Sequence, residues 1–194
     1  MSEIYLNLGC YDKPFPKPFI NVDIRPSEFV DVVDDARTLS KFSDESVNLI
    51  YFSHGLEHIP FSQIQSTLKR WYEVLKPGGI LRVAVPDMDS VFAHYFYWKD
   101  LKFLRSCLMG SQRGDGYSDY HFSCWDFQTL KEELESAGFV DIKRWEPSEI
   151  WPHTYLSDYS QIYYPHFEGK YKLARGGVID LGGKNLSLNL ECSK

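Results

Sequence analysis

An apolar run, Val47-Asn48-Leu49-Ile50-Tyr51-Phe52, is followed by a polar elbow, Ser53-His54-Gly55-Leu56-Glu57-His58. Apolar residues then recur at helical spacing (Ile64, Leu68, Trp71, Tyr72, Leu75), Pro77-Gly78-Gly79 interrupts them, and a second apolar run occupies 80–85. Buried strand, elbow, amphipathic helix, turn and buried strand make one βαβ unit. A parallel strand pair needs such a crossover, so the chain must build an α/β sheet. The elbow places titratable side chains at the carboxyl end of a parallel strand, where open α/β sheets bind ligands.

The rest of the chain extends that sheet. Apolar runs predict strands over 4–8, 19–24, 29–33 and 139–145, and alternation predicts a terminal strand over 186–192. Helices are predicted over 64–75, 90–109 and 127–137, with Gly138 ending the last. This order predicts a doubly wound, mostly parallel sheet with an antiparallel C-terminal strand. The 194 residues suit one domain, 1–194, with a real core. A net charge of −6 argues against a surface built to neutralise nucleic-acid phosphates, so no nucleic-acid partner is expected. No apolar run could span a membrane, and the N-terminal residues lack a basic region, so neither membrane insertion nor a signal peptide is expected. Cys10, Cys107, Cys124 and Cys192 are scattered without a CxxC pair, as in reduced cytoplasmic proteins.

The first three predicted strands end at Gly9, Asp23 and Asp35. A glycine there lets a ligand approach the backbone. An acid after the second strand can accept hydrogen bonds from both ribose hydroxyls, and one after the third can accept from an adenine amino group. A GxGxxG fingerprint is missing, and Pro14, Pro16 and Pro18 rule out an ordinary crossover helix after Gly9. Without that helix N-terminus the usual pyrophosphate site is lost. The edge suits a nucleoside cofactor without phosphates better than NAD, so a nicotinamide-linked oxidoreductase is disfavoured.

The segments Leu6-Asn7-Leu8-Gly9-Cys10, Ile20-Asn21-Val22-Asp23-Ile24, Asp35-Ala36-Arg37, Ser53 to His58, Leu75-Lys76-Pro77-Gly78-Gly79 and Val83-Ala84-Val85-Pro86-Asp87 occur in this order. With the closing Ser187-Leu188-Asn189-Leu190-Glu191, the chain resembles class I S-adenosylmethionine-dependent methyltransferases of the type 11 group. More narrowly it resembles a bacterial subgroup with a shortened first crossover, associated with surface-polysaccharide biosynthesis. The resemblance implies a Rossmann-like fold, S-adenosylmethionine as cofactor and S-adenosylhomocysteine as product. Asn7, Gly9 and Cys10 would face the methionine end, Asp23 and Ile24 the ribose, Asp35 and Ala36 the adenine, and Ser53 and His54 the sulfonium. Tyr11 departs from the group's second glycine. That departure gives weight to an alternative, a non-catalytic module of the same fold within a biosynthetic assembly.

Methyl transfer to a hydroxyl benefits from a base. The candidate catalytic residues are His121, His58, His54 and Glu57, with His121, in a polar loop, the preferred base. A divalent metal on these same residues is the lesser alternative. Class I methyltransferases build their acceptor side after the fourth and fifth strands, which here implies a lid region around 88–125 and 151–185. The aromatic tract at 92–98 and that beginning at Tyr155 would suit a sugar, nucleotide-sugar or other small polysaccharide-precursor acceptor. Association into a homodimer is left open.

Overall fold

The computed structural model describes residues 3–112, 119–145, 170–172, 178–180 and 186–194. Seven strands form one sheet: β1 (Tyr5–Leu8), β2 (Phe19–Asp23), β3 (Val32–Val33), β4 (Val47–Ser53), β5 (Leu75–Pro86), β6 (Val140–Arg144) and β9 (Ser187–Ser193), in the order β3-β2-β1-β4-β5-β9-β6. β3, β2, β1, β4 and β5 run parallel, and β9 lies antiparallel between β5 and β6. A separate hairpin pairs β7 (Lys170–Lys172) with β8 (Val178–Asp180). Otherwise the expected lid at 151–185, with its aromatic tract, lies outside the described residues.

Strand alternation sends two sets of side chains to opposite faces. Leu6, Leu8, Ile50, Phe52, Leu81, Val83 and Leu190 join the main core. Tyr51, Leu49, Phe15, Phe19 and Trp145 form a second cluster. Helices α1 (Phe61–Val74) and α4 (Phe127–Ala137) cover the main core through Ile64, Leu68, Trp71, Leu130 and Leu134. Each such fully buried side chain contributes about 1.5–3 kcal/mol. α4 follows the sequence reading because its ends are marked: Asp126 and Thr129 form a reciprocal capping box, and Gly138 closes it with a left-handed residue.

Three boundaries differ from expectation. α1 ends at Val74, and β5 already pairs at Leu75 with Val47. Pro77-Gly78-Gly79 is a bulge before pairing resumes at Leu49–Ile80. The helix predicted over 90–109 is two helices, α2 (Met88–Trp98) and α3 (Leu101–Met109). Lys99 turns left-handed after α2, and the Asp100 carboxylate caps α3 by accepting from Phe103 N. The third strand shrinks to two residues, and Phe29 is exposed.

No helix joins β1 to β2. The proline segment runs as turns and extended chain from Gly9 to Phe19. Asn21 pins it: its amide oxygen accepts from Phe15 N at 2.7 Å and its amide nitrogen donates to Phe15 O at 3.0 Å.

Candidate active site

From β1 the chain passes to β2 on one side of the sheet, and from β4 to β5 on the other. The reversal lies between β1 and β4, the topological switch point where such sheets hold ligands. A cleft of about 760 Å³ opens there, within the usual range for small-molecule sites. Asn7, Gly9, Cys10, Asp23, Ile24, Asp35, Ala36, Ser53, His54, Glu57, His58 and His121, the full set of candidate residues from the sequence, all line it.

Phe52 shapes the floor. A β-carbon on Gly9 would stand 2.9 Å from its ring, and one on Gly55 only 2.2 Å. Gly9 also has φ +62°. Glycine at both places therefore lets the backbone lie against the Phe52 ring, where any side chain would collide with it. At the end of β2, Asp23 is buried. Its Oδ2 accepts from Tyr11 N at 3.0 Å and its Oδ1 from Arg25 N at 2.9 Å. Arg25 Nε also donates to Oδ1 at 3.4 Å, so of the about four lone-pair sites a carboxylate offers, one on Oδ2 remains for a ribose hydroxyl. The glycine floor and the anchored acid fit the nucleoside part of S-adenosylmethionine.

Not every candidate side chain has capacity to spare. The Asn7 amide donates to Lys13 O and to Asn21 Oδ1, so it secures the proline segment. The Cys10 thiol points to Phe29 O, and burial pushes it up to about 11. The Arg37 guanidinium grips the Asp35 carboxylate, with Nη2 at 2.6 Å, and this ion pair holds Asp35 below the ordinary carboxylate range. Arg37 also donates to Gln63 of α1, and Trp71 Nε1 donates to Ala36 O at 2.7 Å. The wall carrying Asp35 and Ala36 is thus braced by α1. Tyr11 adopts φ 43°, in the left-handed region that glycine enters most readily. Its ring lies under the Arg25 guanidinium at 4.6 Å.

The elbow after β4 carries the titratable end. His54 has φ 49° and is held by its N–H on Ala84 O at 2.8 Å. A one-turn 3₁₀ helix, Leu56–His58, follows. His54 reaches Glu57, Nδ1 to Oε1 at 3.4 Å, while its Nε2 meets Ser187 Oγ at 2.9 Å. The Glu57 side chain is wholly buried, and its Oε2 accepts no hydrogen bond among the described residues. Burial alone would raise its pKa; the hydrogen bond from His54 and the fields of His54, His58 and His121 win and hold it below the ordinary range.

The segment after α3 delivers His121 to this acid. Phe122 N donates to Glu57 O at 2.7 Å and His121 N to Met109 O at 3.2 Å. His121 Nδ1 donates to Cys107 O at 2.7 Å, and His58 Nδ1 to Tyr120 O at 3.0 Å. A carbonyl only accepts, so Nδ1 carries the proton on each ring and the neutral form keeps its lone pair on Nε2. One nitrogen from each histidine and a Glu57 oxygen lie within 4.8 Å of one another. Burial lowers the His121 pKa; Glu57 opposes this without reversing it. The same cleft therefore has a nucleoside-sized floor at one end and a proton-accepting or ion-binding cluster at the other. Arg25, Arg37, Ser111 and Asp119 line it as well; the charged residues beside the candidate acids were the only sequence sign of this.

A family model described as a methyltransferase domain matches residues 3–144. Demethylmenaquinone methyltransferase of Staphylococcus epidermidis is 28% identical over 107 residues, which is 52% of this chain and 44% of the relative. The chain thus spans less than half the length of that relative. A S-adenosylmethionine-dependent methyltransferase from Archaeoglobus fulgidus superposes with TM-score 0.59 at 17% identity, over 99% of this chain and 86% of that one. One from Methanosarcina mazei gives 0.52 at 13% identity, over 99% and 92%. At such identities these structures speak for the fold.

Proposed function

The chain belongs to the methyltransferase domain family, with S-adenosylmethionine as its cofactor, and from that premise we propose that it methylates an oxygen of a small hydroxylated acceptor. A sugar, nucleotide-sugar or related polysaccharide precursor is the acceptor class we favour. The observation that carries the reading is the shared cleft: Gly9 and Asp23 at one end, Glu57, His58 and His121 at the other.

The cofactor, when bound, supplies an electrophilic methyl group on a sulfonium. This chain's residues supply the rest. Asp23 fixes the ribose, and the glycine floor sets the depth of the nucleoside. The enzyme's main work is alignment of acceptor oxygen and methyl group. Nε2 of His121, neutral at pH 7 and carrying its lone pair, takes the hydroxyl proton as the oxygen attacks. Nδ1–H on Cys107 O holds the ring in that tautomer. The acceptor class rests on the order of the sequence motifs and on this lone pair, which suits a hydroxyl.

The non-catalytic reading drew its weight from Tyr11. That residue adopts the glycine-like backbone and stacks its ring on Arg25, so it gives no reason to doubt cofactor entry. The test is methyl transfer from labelled S-adenosylmethionine to a panel of sugars, nucleotide-sugars and demethylmenaquinone. Label in an ether on a sugar supports the proposal. Label on quinone carbon alone, or no transfer despite cofactor binding, overturns the acceptor class.

A further inference from the structure

We propose that Glu57, His58 and His121 form a binding site for a divalent transition-metal ion. The proposal stands on the geometry of the cluster; only the ion's use in catalysis rests on the methyltransferase reading.

The three residues come from two chain segments that fold onto each other. Each presents one donor atom, and these atoms lie within 4.8 Å of one another. Donors bound at about 2.0–2.2 Å around one tetrahedral ion stand about 3.3–3.6 Å apart, so the widest pair closes by roughly 1 Å or slightly more on binding, by rotation of the side chains. Both imidazoles have Nδ1–H engaged by a backbone carbonyl, His58 on Tyr120 O and His121 on Cys107 O. This is the outer arrangement that orients metal-ligating histidines and frees Nε2 as the ligand. The third donor is independently unusual. Glu57 is wholly buried, and Oε2 has no hydrogen-bond partner among the described residues. A buried carboxylate oxygen left so is costly, and a cation satisfies it directly.

The donor set selects the ion. Two imidazole nitrogens and one carboxylate oxygen favour Mn²⁺, Fe²⁺, Co²⁺ or Zn²⁺ over Mg²⁺ and Ca²⁺. His54 stays on the far oxygen of Glu57, Nδ1 to Oε1 at 3.4 Å, as an outer partner of the ligand. The three ligands line the cleft, so the remaining coordination positions open toward the acceptor. Three protein ligands with an open side are the pattern of catalytic sites. An ion there would hold and polarise the acceptor oxygen as a Lewis acid, taking over the part otherwise played by the His121 lone pair.

The test uses the full chain stripped with a chelator. Co²⁺ is titrated in, followed by calorimetry and by its visible absorption; S-adenosylhomocysteine is titrated separately. One equivalent of Co²⁺ with a visible band is expected, weakened at least about 100-fold in His121→Ala and in His58→Ala, more than the loss of an outer partner typically costs. In the unaltered protein Mn²⁺ should broaden the imidazole signals of His58 and His121 before that of His94, which locates the ion even if a variant fails to fold. Failure to bind Co²⁺ at millimolar concentration overturns the proposal, as does a band unchanged in His121→Ala or broadening that begins elsewhere. Binding of S-adenosylhomocysteine without Co²⁺ removes the metal site alone. Binding of Co²⁺ without S-adenosylhomocysteine keeps the metal site and removes the methyltransferase reading.

Discussion

The imidazoles of His58 and His121 meet edge to face with centroids 4.8 Å apart and planes at 83°. Neither ring could be so placed by local structure. His58 rides on the turn after β4, and His121 is carried there by a loop that hydrogen-bonds to Glu57 through Phe122. The pairing joins the turn after β4 to the loop after α3 across the cleft.

Removal of the His121 ring tests that join. His121→Ala is expected to lower turnover about 10²–10⁴-fold, the usual range for a positioned acid or base. Affinity for S-adenosylhomocysteine should stay nearly intact, since Asp23 and the glycine floor are untouched. Near-normal turnover would move the role to His58 or His54.

Gly110 tests how the loop is held. Its φ is +73°, and a β-carbon there would lie 1.7 Å from Asp119 O and 3.1 Å from His121 Cδ2. Neither the backbone nor the ring can yield cheaply. Gly110→Ala should cost roughly 1–3 kcal/mol of stability and reduce turnover, again with cofactor affinity preserved. Unchanged melting and unchanged turnover would show that this loop does not position His121.

The pH dependence has a definite sign. Burial depresses the His121 pKa in the folded state, so below the ordinary value of about 6.5 the unfolded chain takes up a proton that the folded one refuses. Stability should therefore fall as pH drops from about 6.5 toward the lower folded value. His94, also lowered by burial, contributes in the same window. Urea unfolding of wild type and His121→Asn isolates the His121 part: the variant should lose less stability on acidification. Glu57 acts lower down. Its folded pKa is held below the ordinary value of about 4.3, so its contribution is present above that value and is lost as pH falls through the folded one. Parallel curves for wild type and His121→Asn between about pH 6.5 and 5 would contradict the assignment of a half-buried neutral imidazole.

Much of the scaffold was legible in the sequence because its signals are local. β1, β2 and β4 are short apolar runs buried along nearly their whole length, and α4 carries its cap and its closing glycine in plain sight. The break at Lys99 was not, because apolar residues continue through Phe92 to Leu104 and hide the Asp100 cap. The place of β9 between β5 and β6 was not either, since a pairing between distant segments leaves no local mark. The same division runs through the site. Strand ends pointed to Gly9, Asp23 and the 53–58 elbow. Residue type alone could not tell that Asn7 and Asp35 are occupied by Asn21 and Arg37. Nor could it tell that Glu57 is buried with one bare oxygen, because that depends on a loop folding back over it.

The most direct test of the cofactor assignment is calorimetric titration of S-adenosylhomocysteine into wild type and Asp23→Ala. One equivalent should bind wild type, and the variant should bind about 5- to 150-fold more weakly, the equivalent of the roughly 1–3 kcal/mol for leaving polar partners unpaired. Equal affinity in the two proteins, or no binding to wild type, would contradict the placement of the nucleoside at the end of β2.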